Sequence, residues 1–243
     1  MLIDAHVRIG DGREVALSTE SLLADMDDLG IDRTLIAPSE RCIAYDNREG
    51  NARTVAAARA SGGRLLAYAV ANPWRGEEAT AELERARDEG AVALAVDPVL
   101  QGFDLLDGLL DPLLRRAGEW GWPVYVRTGT PPSSIPLPLA ELALLHPDVA
   151  FIMGKSGGTD FWIDANQALL RAPNLYADTA YAPWDSVLTG FARTDGIGTG
   201  RVIFSTDSPY TLPSIELGRV REWPIPAGEK AAVLGGTMAG LLQ

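Results

Sequence analysis

Seven ionisable side chains stand at or just beyond the ends of short apolar runs. They are His6 and Arg8 in IDAHVRIG, Asp97 in AVALAVDP, Arg127 in PVYVRT, Lys155 in FIMGKS, Asp178 in NLYADT and Asp207 in VIFSTDSPY. Imidazole and carboxylate groups can move protons, whereas guanidinium and ammonium groups hold anions. His6 and Arg8 are two residues apart, so in an extended segment they share a face. Val, Ile or Leu would be the ordinary filling at such positions, and a set of rim salt bridges is the bland reading. Ionisable groups ending six of the eight runs exceed what packing alone asks for. Phe161, Trp162, Tyr181, Trp184 and Tyr210 follow the last three runs and together could wall a pocket for a flat or apolar molecule.

The runs themselves must position these groups. Met1–Arg8, Arg33–Pro38, Arg64–Asn72, Ala91–Pro98, Pro123–Thr128, Val149–Gly154, Asn174–Thr179 and Arg201–Thr206 are short, β-rich and nearly continuous in apolar residues. Such runs read as strands covered on both faces. Between them lie helix-like segments: Ser18–Gly30 with a Ser start and a Gly stop, Glu77–Gly90 acidic early and basic late, Pro112–Gly121 ending in Gly. Eight strand–helix units in 243 residues predict an α/β fold, a (β/α)8 TIM barrel filling residues 1–243 as a single domain. A doubly wound open sheet fits less well, because the first turn, Arg-Ile-Gly-Asp-Gly-Arg, lacks the glycine fingerprint of that fold. Pro131–Pro138 reads as a loop over one barrel face. In such a barrel the active site lies at the C-terminal ends of the strands, where the seven side chains stand.

Composition narrows the partners. Thirty-three Asp and Glu against 21 Lys and Arg leave a net charge of −12, which argues against a nucleic-acid or anionic-membrane surface. The single Cys42 excludes an internal disulfide and any Cys-rich zinc module, and suits a reducing cytoplasm. No charged segment leads into an apolar run near residue 1, and no stretch of about 18 apolar residues occurs, so neither signal peptide nor membrane span is expected. A homodimer is compatible with the sequence, which shows no specific interface.

The opening IDAHVRIG resembles the IDxHxHxG opening of the amidohydrolase-related family of metal-dependent barrel hydrolases and decarboxylases. Further pieces agree in order: GIDRTLIAPS, the segment from DPVLQGFDLL to VYVRTGTPP, MGKSGGTDFWIDA, NLYADTAY, RVIFSTDSPY and VLGGTMAGLL. Together they span essentially the whole chain. The resemblance implies metal-binding histidines at the second position of His-x-His, on the fifth strand and after the sixth. This sequence has Arg8, Arg127 and Lys155 there, and Ala95-Val96-Asp97-Pro98 where the family has a KLHP-like segment; only His6 and Asp207 keep the family's identities. Guanidinium has no lone pair to give. At about 6 Å and an effective dielectric near 20 each pair of like unit charges costs roughly 2–3 kcal/mol, so three cations disfavour a dication among them. No metal and no other cofactor is therefore expected.

Three converging cations need compensation. Asp207, Asp97, Asp178 and Asp4 can supply it from within, or a carboxylate substrate can, gripped by an arginine. Some members of the resembled family hydrolyse lactones without metal, with the last strand's aspartate as base. The leading expectation is hydrolysis of a small carboxylate-bearing lactone, ester or amide. Asp207 would be the general base, His6 would orient it or protonate the leaving group, and Arg8, Arg127 and Lys155 would bind the carboxylate and steady the oxyanion. Lys155 could instead act as a nucleophile. Asp97 and Asp178 would flank the cations, with Trp162, Tyr181 and Tyr210 as pocket walls. Two alternatives stay open: non-oxidative decarboxylation of a small carboxylic acid, and an inactive barrel that keeps only an anion pocket.

Other features carry less. Gly154-Lys155-Ser156 resembles the end of a phosphate loop, but Val149 stands where its first glycine is required. His146 reads as a residue at a helix end, and Cys42 as a buried, unreactive thiol.

Overall fold

The computed structural model describes residues 1–158, 162–181 and 185–243. Among these, one sheet contains β1 (Ile3–Asp11), β2 (Ala16–Leu17), β3 (Arg33–Pro38), β4 (Leu65–Ala69), β5 (Ala91–Val96), β6 (Val124–Arg127), β7 (Phe151–Gly154), β8 (Leu175–Asp178) and β9 (Val202–Ile203). All but β2 run parallel in chain order. Backbone hydrogen bonds from Ala5 N to Phe204 O (3.0 Å), Asp207 N to His6 O (3.1 Å) and Arg8 N to Ser208 O (2.8 Å) join the last parallel strand to the first. The expected (β/α)8 barrel is the fold. Each of the eight apolar runs supplies a strand; the two-residue β2, an antiparallel partner of Gly10–Asp11, carries no apolar run and was not expected.

Helices connect the strands as local signals direct. Ser18 caps Thr19–Leu29 by accepting a hydrogen bond from Ser21 N (3.1 Å), and Gly30 ends it in the left-handed region. The Pro131–Pro138 loop is shorter than expected. Pro136 opens the helix Pro136–Leu145, since a proline in the first turn forfeits no intrahelical N–H bond. No helix among the described residues is long and apolar enough to cross a membrane.

Two apolar cores show which residues face where. Ile3, Ala5, Leu35, Ala37, Tyr68, Ala93, Ala95, Tyr125, Ile152 and Ile203 fill the barrel interior. Val7, Ile9, Ile36, Leu94, Val96, Val126, Met153, Ala177 and Phe204 pack outward against the helices. The alternation therefore aims Asp97, Arg127, Asp178 and Asp207 inward, each two or four residues on from an interior side chain. On β1 the phase changes. Ile3 and Ala5 belong to the interior, yet Val7 and Ile9 belong to the outer core, and the pairing with β3 shifts register between Asp4 and Val7. This bulge swings His6 and Arg8 into the barrel mouth and takes Asp4 out of their row.

Candidate active site

Two clusters form where the strands end. In the first, Arg8 Nη2 lies 2.8 Å from Asp97 Oδ2, and Arg127 Nε lies 3.7 Å from the same oxygen. Arg8 and Asp97 are buried, while the Arg127 side chain keeps 22% of its exposure. Burial works against the charge on Arg8, but Asp97 and Asp207 outweigh it and push its pKa up, so the guanidinium is permanent. Arg8, Arg13, Glu14, Glu40, Asp97 and Arg127 are among the groups lining a cavity of about 310 Å³, with Tyr210 on its wall. Asp97 is thus shared between two guanidinium groups, and Arg8 Nε has no hydrogen-bond partner among the described residues. An anion entering the cavity would meet unsatisfied donors.

The second cluster is buried more deeply beside the first. Lys155 Nζ stands 2.8 Å from Asp207 Oδ2, and His6 Nδ1 is 3.2 Å from Asp207 Oδ1. These are close charge contacts with poor hydrogen-bond alignment, for neither His6 Nδ1 nor Asp207 Oδ2 has an aligned partner among the described residues. Burial alone would raise the Asp207 pKa, but His6, Lys155 and Arg8 reverse this and hold it well below the ordinary carboxylate range. Burial pushes His6 down, keeping the imidazole neutral, and lowers Lys155 as well, helped by Arg127 and Arg8 against the opposing pull of Asp207.

Backbone geometry places these groups. Lys155 (φ 60°), Ser156 (φ 55°), Tyr181 (φ 55°) and Asp207 (φ 57°) all adopt the left-handed region without being glycine. Such a conformation costs of order 1–3 kcal/mol each and persists only where its surroundings enforce it. Around Lys155 the enforcing group is Asp178, whose Oδ1 accepts from Ser156 N (3.0 Å) while its carbonyl accepts from Ser156 Oγ (2.8 Å). Around Asp207 it is Asp4, which accepts from Thr206 N (2.9 Å), Thr206 Oγ1 (2.6 Å) and His6 N (3.3 Å). Burial raises Asp178 well above its ordinary range and Asp4 to about 7.

The expected residues divide accordingly. His6, Lys155 and Asp207 meet; Arg8, Asp97 and Arg127 meet beside them. The Tyr181 ring lies 4.6 Å from Lys155 Nζ, and the Tyr210 ring lies 5.7 Å from both Lys155 Nζ and Arg8 Cζ. Asp178 makes no ion pair with the cations among the described residues; its carboxylate accepts from Ser156 N and from the Tyr125 hydroxyl. Trp162 lines a different cavity, with Ala165, Val187 and Phe191, where its loop packs beside the outer helices. Phe161 and Trp184 lie outside the described residues. His146 sits at the end of Pro136–Leu145, 3.1 Å from Asp111, and Cys42 is a buried thiol whose pKa burial raises.

Several site residues escaped the sequence reading. The Tyr125 ring stacks on His6 at 4.0 Å and its hydroxyl donates to Asp178 Oδ2 at 3.2 Å. Room for that ring exists because residue 154 is glycine: a Cβ there would strike the Tyr125 phenol. The signal was available, since Tyr125 precedes Arg127 by two on one strand. Glu40, the first residue of the short helix Glu40–Ala44, accepts from the Tyr210 hydroxyl and from Arg13 N. No local pattern distinguishes it from any other glutamate in a helix's first turn.

Fold and site together define a parallel (β/α)8 barrel with a polar, cation-rich centre on its C-terminal rim, the end at which such barrels carry active sites. The chain belongs to the amidohydrolase family, whose model matches residues 3–242. It is similar to 5-carboxyvanillate decarboxylase from Sphingomonas paucimobilis, with TM-score 0.79 and 16% identity over 99% of this chain and 98% of that one. An uncharacterised TIM-barrel protein from Bordetella bronchiseptica gives TM-score 0.79 and 18% identity, covering 99% and 98%. A dihydroxybenzoic acid decarboxylase from Polaromonas sp. JS666, solved with manganese and 2-nitroresorcinol, gives 0.76 and 14%, covering 99% and 96%. At these identities the likeness is one of fold. No curated protein matches the chain by sequence.

A divalent cation does not fit the residues present. Such an ion needs three or more oxygen, nitrogen or sulfur donors converging on one point. Among the described residues no three His, Cys, Asp or Glu side chains do so. Around His6 and Asp207 stand an ammonium 2.8 Å from one carboxylate oxygen and the buried guanidinium of Arg8. Both repel a dication and neither can ligate it.

Proposed function

We propose that this protein is a metal-independent enzyme that removes carbon dioxide from a small carboxylic acid. The observation behind this reading is the division of labour at the rim. Arg8 and Arg127 offer donors to an anion in the 310 Å³ cavity, while Asp207 is buried and held ionised by His6, Lys155 and Arg8. A carboxylate so stabilised accepts a proton poorly, which handicaps activation of water. Loss of carbon dioxide asks for no such base: it needs an anchored substrate, exclusion of water and a cationic group to take up developing charge. The decarboxylases among its fold relatives lend support, and the lone buried Cys42 suits a cytoplasmic setting.

Hydrolysis of a carboxylate-bearing lactone, ester or amide is the second reading. It is favoured by the placement of Lys155 and Arg127 on adjacent strands, where an oxyanion could lie between them. Both readings share the anion pocket, so that is tested first. Thermal-shift titration in chelator should show stabilisation by mono- or dicarboxylates, about 2.7 kcal/mol at a hundredfold excess over Kd, and Arg127→Met should abolish it. Carbon dioxide release from the stabilising acids then supports decarboxylation, and ring-opened or cleaved products without it support hydrolysis. Binding with neither product would identify an inactive anion-binding barrel, and absence of binding would overturn all of these readings.

A further inference from the structure

Lysine is rare in this chain. Of its 21 cationic side chains only two are lysine, Lys155 and Lys230, and the rest are arginine. Lys230 lies on the outer surface, its ammonium on the Arg221 carbonyl. Lys155 is 4% exposed in the barrel mouth, flanked by Asp207, by the faces of Tyr181 and Tyr210, and by two arginines. For holding an anion, arginine is the better residue and the one this site already uses twice. What lysine adds is a nitrogen that can lose its proton and attack carbon.

We infer that Lys155 is a Schiff-base nucleophile, and that the substrate is a small 2-oxo acid bearing a second carboxylate on carbon 3. The inference rests on the decarboxylase reading above and names its electron sink. Arg127 pairs in register with Gly154, so Lys155 emerges one residue further along the neighbouring strand, one strand spacing away. That spacing, about 4.8 Å between backbones, suits a carboxylate and a carbonyl on adjacent carbons. The carboxylate next to the carbonyl would be held by Arg127 and Arg8, which both line the cavity, and the one on carbon 3 would leave.

Each step balances. Burial, with Arg127 and Arg8 beside it, favours release of the Lys155 proton to solvent. The free amine adds to carbon 2. The carbinolamine hydroxyl takes up a proton from solvent, water leaves, and an iminium remains. The bond from carbon 3 to its carboxylate breaks, its electron pair entering the iminium to give an enamine, and carbon dioxide departs. Carbon 3 takes up a proton, water adds back to the iminium, and the shortened 2-oxo acid is released with the lysine restored. One proton is consumed overall, and no oxidant, reductant or metal takes part.

Pyruvate, which can form the imine but has no carbon dioxide to lose in this way, is the probe for the covalent step. Borohydride reduction of the protein with pyruvate should add one carboxyethyl group, mapped to Lys155 by peptide mass spectrometry. Lys230 and the N-terminal amine, modified no more than in unfolded protein, serve as internal controls. Lys155→Arg and Lys155→Met, checked for fold by circular dichroism, should lose the label on that peptide and at least a hundredfold of the rate of carbon dioxide release from oxaloacetate. An unlabelled Lys155, or oxaloacetate turnover equal in the two variants and the parent, would overturn the inference. Carbon dioxide release from other acids without labelling would sink the Schiff base and leave the decarboxylase reading standing. Labelling without carbon dioxide release would do the reverse.

Discussion

The two halves of the rim use the same kinds of groups to opposite ends. Arg8, Asp97 and Arg127 form a cluster in which two guanidinium groups share one carboxylate and a cavity gives access to them. His6, Asp207 and Lys155 form a cluster buried almost completely, closed by the faces of Tyr125 and Tyr181, with Tyr210 between the two clusters. In the open half the charges line a cavity that solvent can enter. In the closed half, loss of water makes each charge depend on its neighbour, and burial opposes every ionised form. Two cation–carboxylate clusters are thereby set side by side with different electrostatics, although both descend from polar residues at strand ends.

The largest test of this difference is Asp207→Asn. Removing the carboxylate leaves Lys155 without its counter-charge in a buried site, a loss that typically costs 3–5 kcal/mol. A destabilisation of about 3 kcal/mol is expected, at the low end because Lys155 can shed its proton, together with loss of turnover. Arg127→Met should instead change stability by no more than about 1 kcal/mol, because that side chain is partly exposed and its ion pair is long. Urea unfolding of the two variants decides the matter: equal losses would mean that the halves are not electrostatically distinct.

A second test concerns the supports beneath the closed half. Asp4 is raised by burial to about 7, so between about pH 4 and 7 the folded chain keeps a proton that the unfolded chain has lost. Folded chains that bind more protons lose stability as pH rises, and Asp178, raised by the same cause, acts in the same direction. Through these two carboxyl groups the melting temperature should fall from pH 5 to pH 7. His6 contributes in the opposing direction, since its lowered pKa favours the folded chain as pH rises. Asn at position 4 keeps an acceptor for Thr206 N and a donor for Thr206 Oγ1, so Asp4→Asn should flatten the profile. A profile as steep as the parent's would remove Asp4 from the account.

The smallest effect is expected at the boundary between the halves. Tyr210→Phe removes the hydroxyl that donates to Glu40, worth about 1 kcal/mol or less to stability. The released Glu40 carboxylate then competes for the cavity's cations, so carboxylate affinity should drop a few-fold while borohydride labelling at saturating pyruvate stays unchanged. Loss of labelling would place Tyr210 in the closed half instead.

What could be read in advance differs between these parts for physical reasons. Buried parallel strands need continuous apolar runs, so all eight barrel strands were visible, whereas β2 is held by a turn and two residue pairs and left no apolar trace. Residues ending strands point inward by simple alternation, which made Asp97, Arg127 and Asp207 recoverable. Trp162 was grouped with the pocket only because it follows a strand, and it lines another cavity. Tyr125 was passed over because an aromatic in a buried strand looks like ordinary filling, and only its stacking on His6 sets it apart.

By itself, then, the sequence determined the barrel and the strand ends that bear charge, because periodicity and side-chain chemistry are local properties. Only the tertiary structure decided how the charges pair. The β1 bulge turns His6 and Arg8 into the mouth while Asp4 braces Thr206, and left-handed turns at Lys155 and Asp207 bring an ammonium within 2.8 Å of a carboxylate 52 residues away. Those contacts depend on ring closure between β1 and β9, and burial, which sets the protonation of every group in the closed half, exists only once the ring has closed.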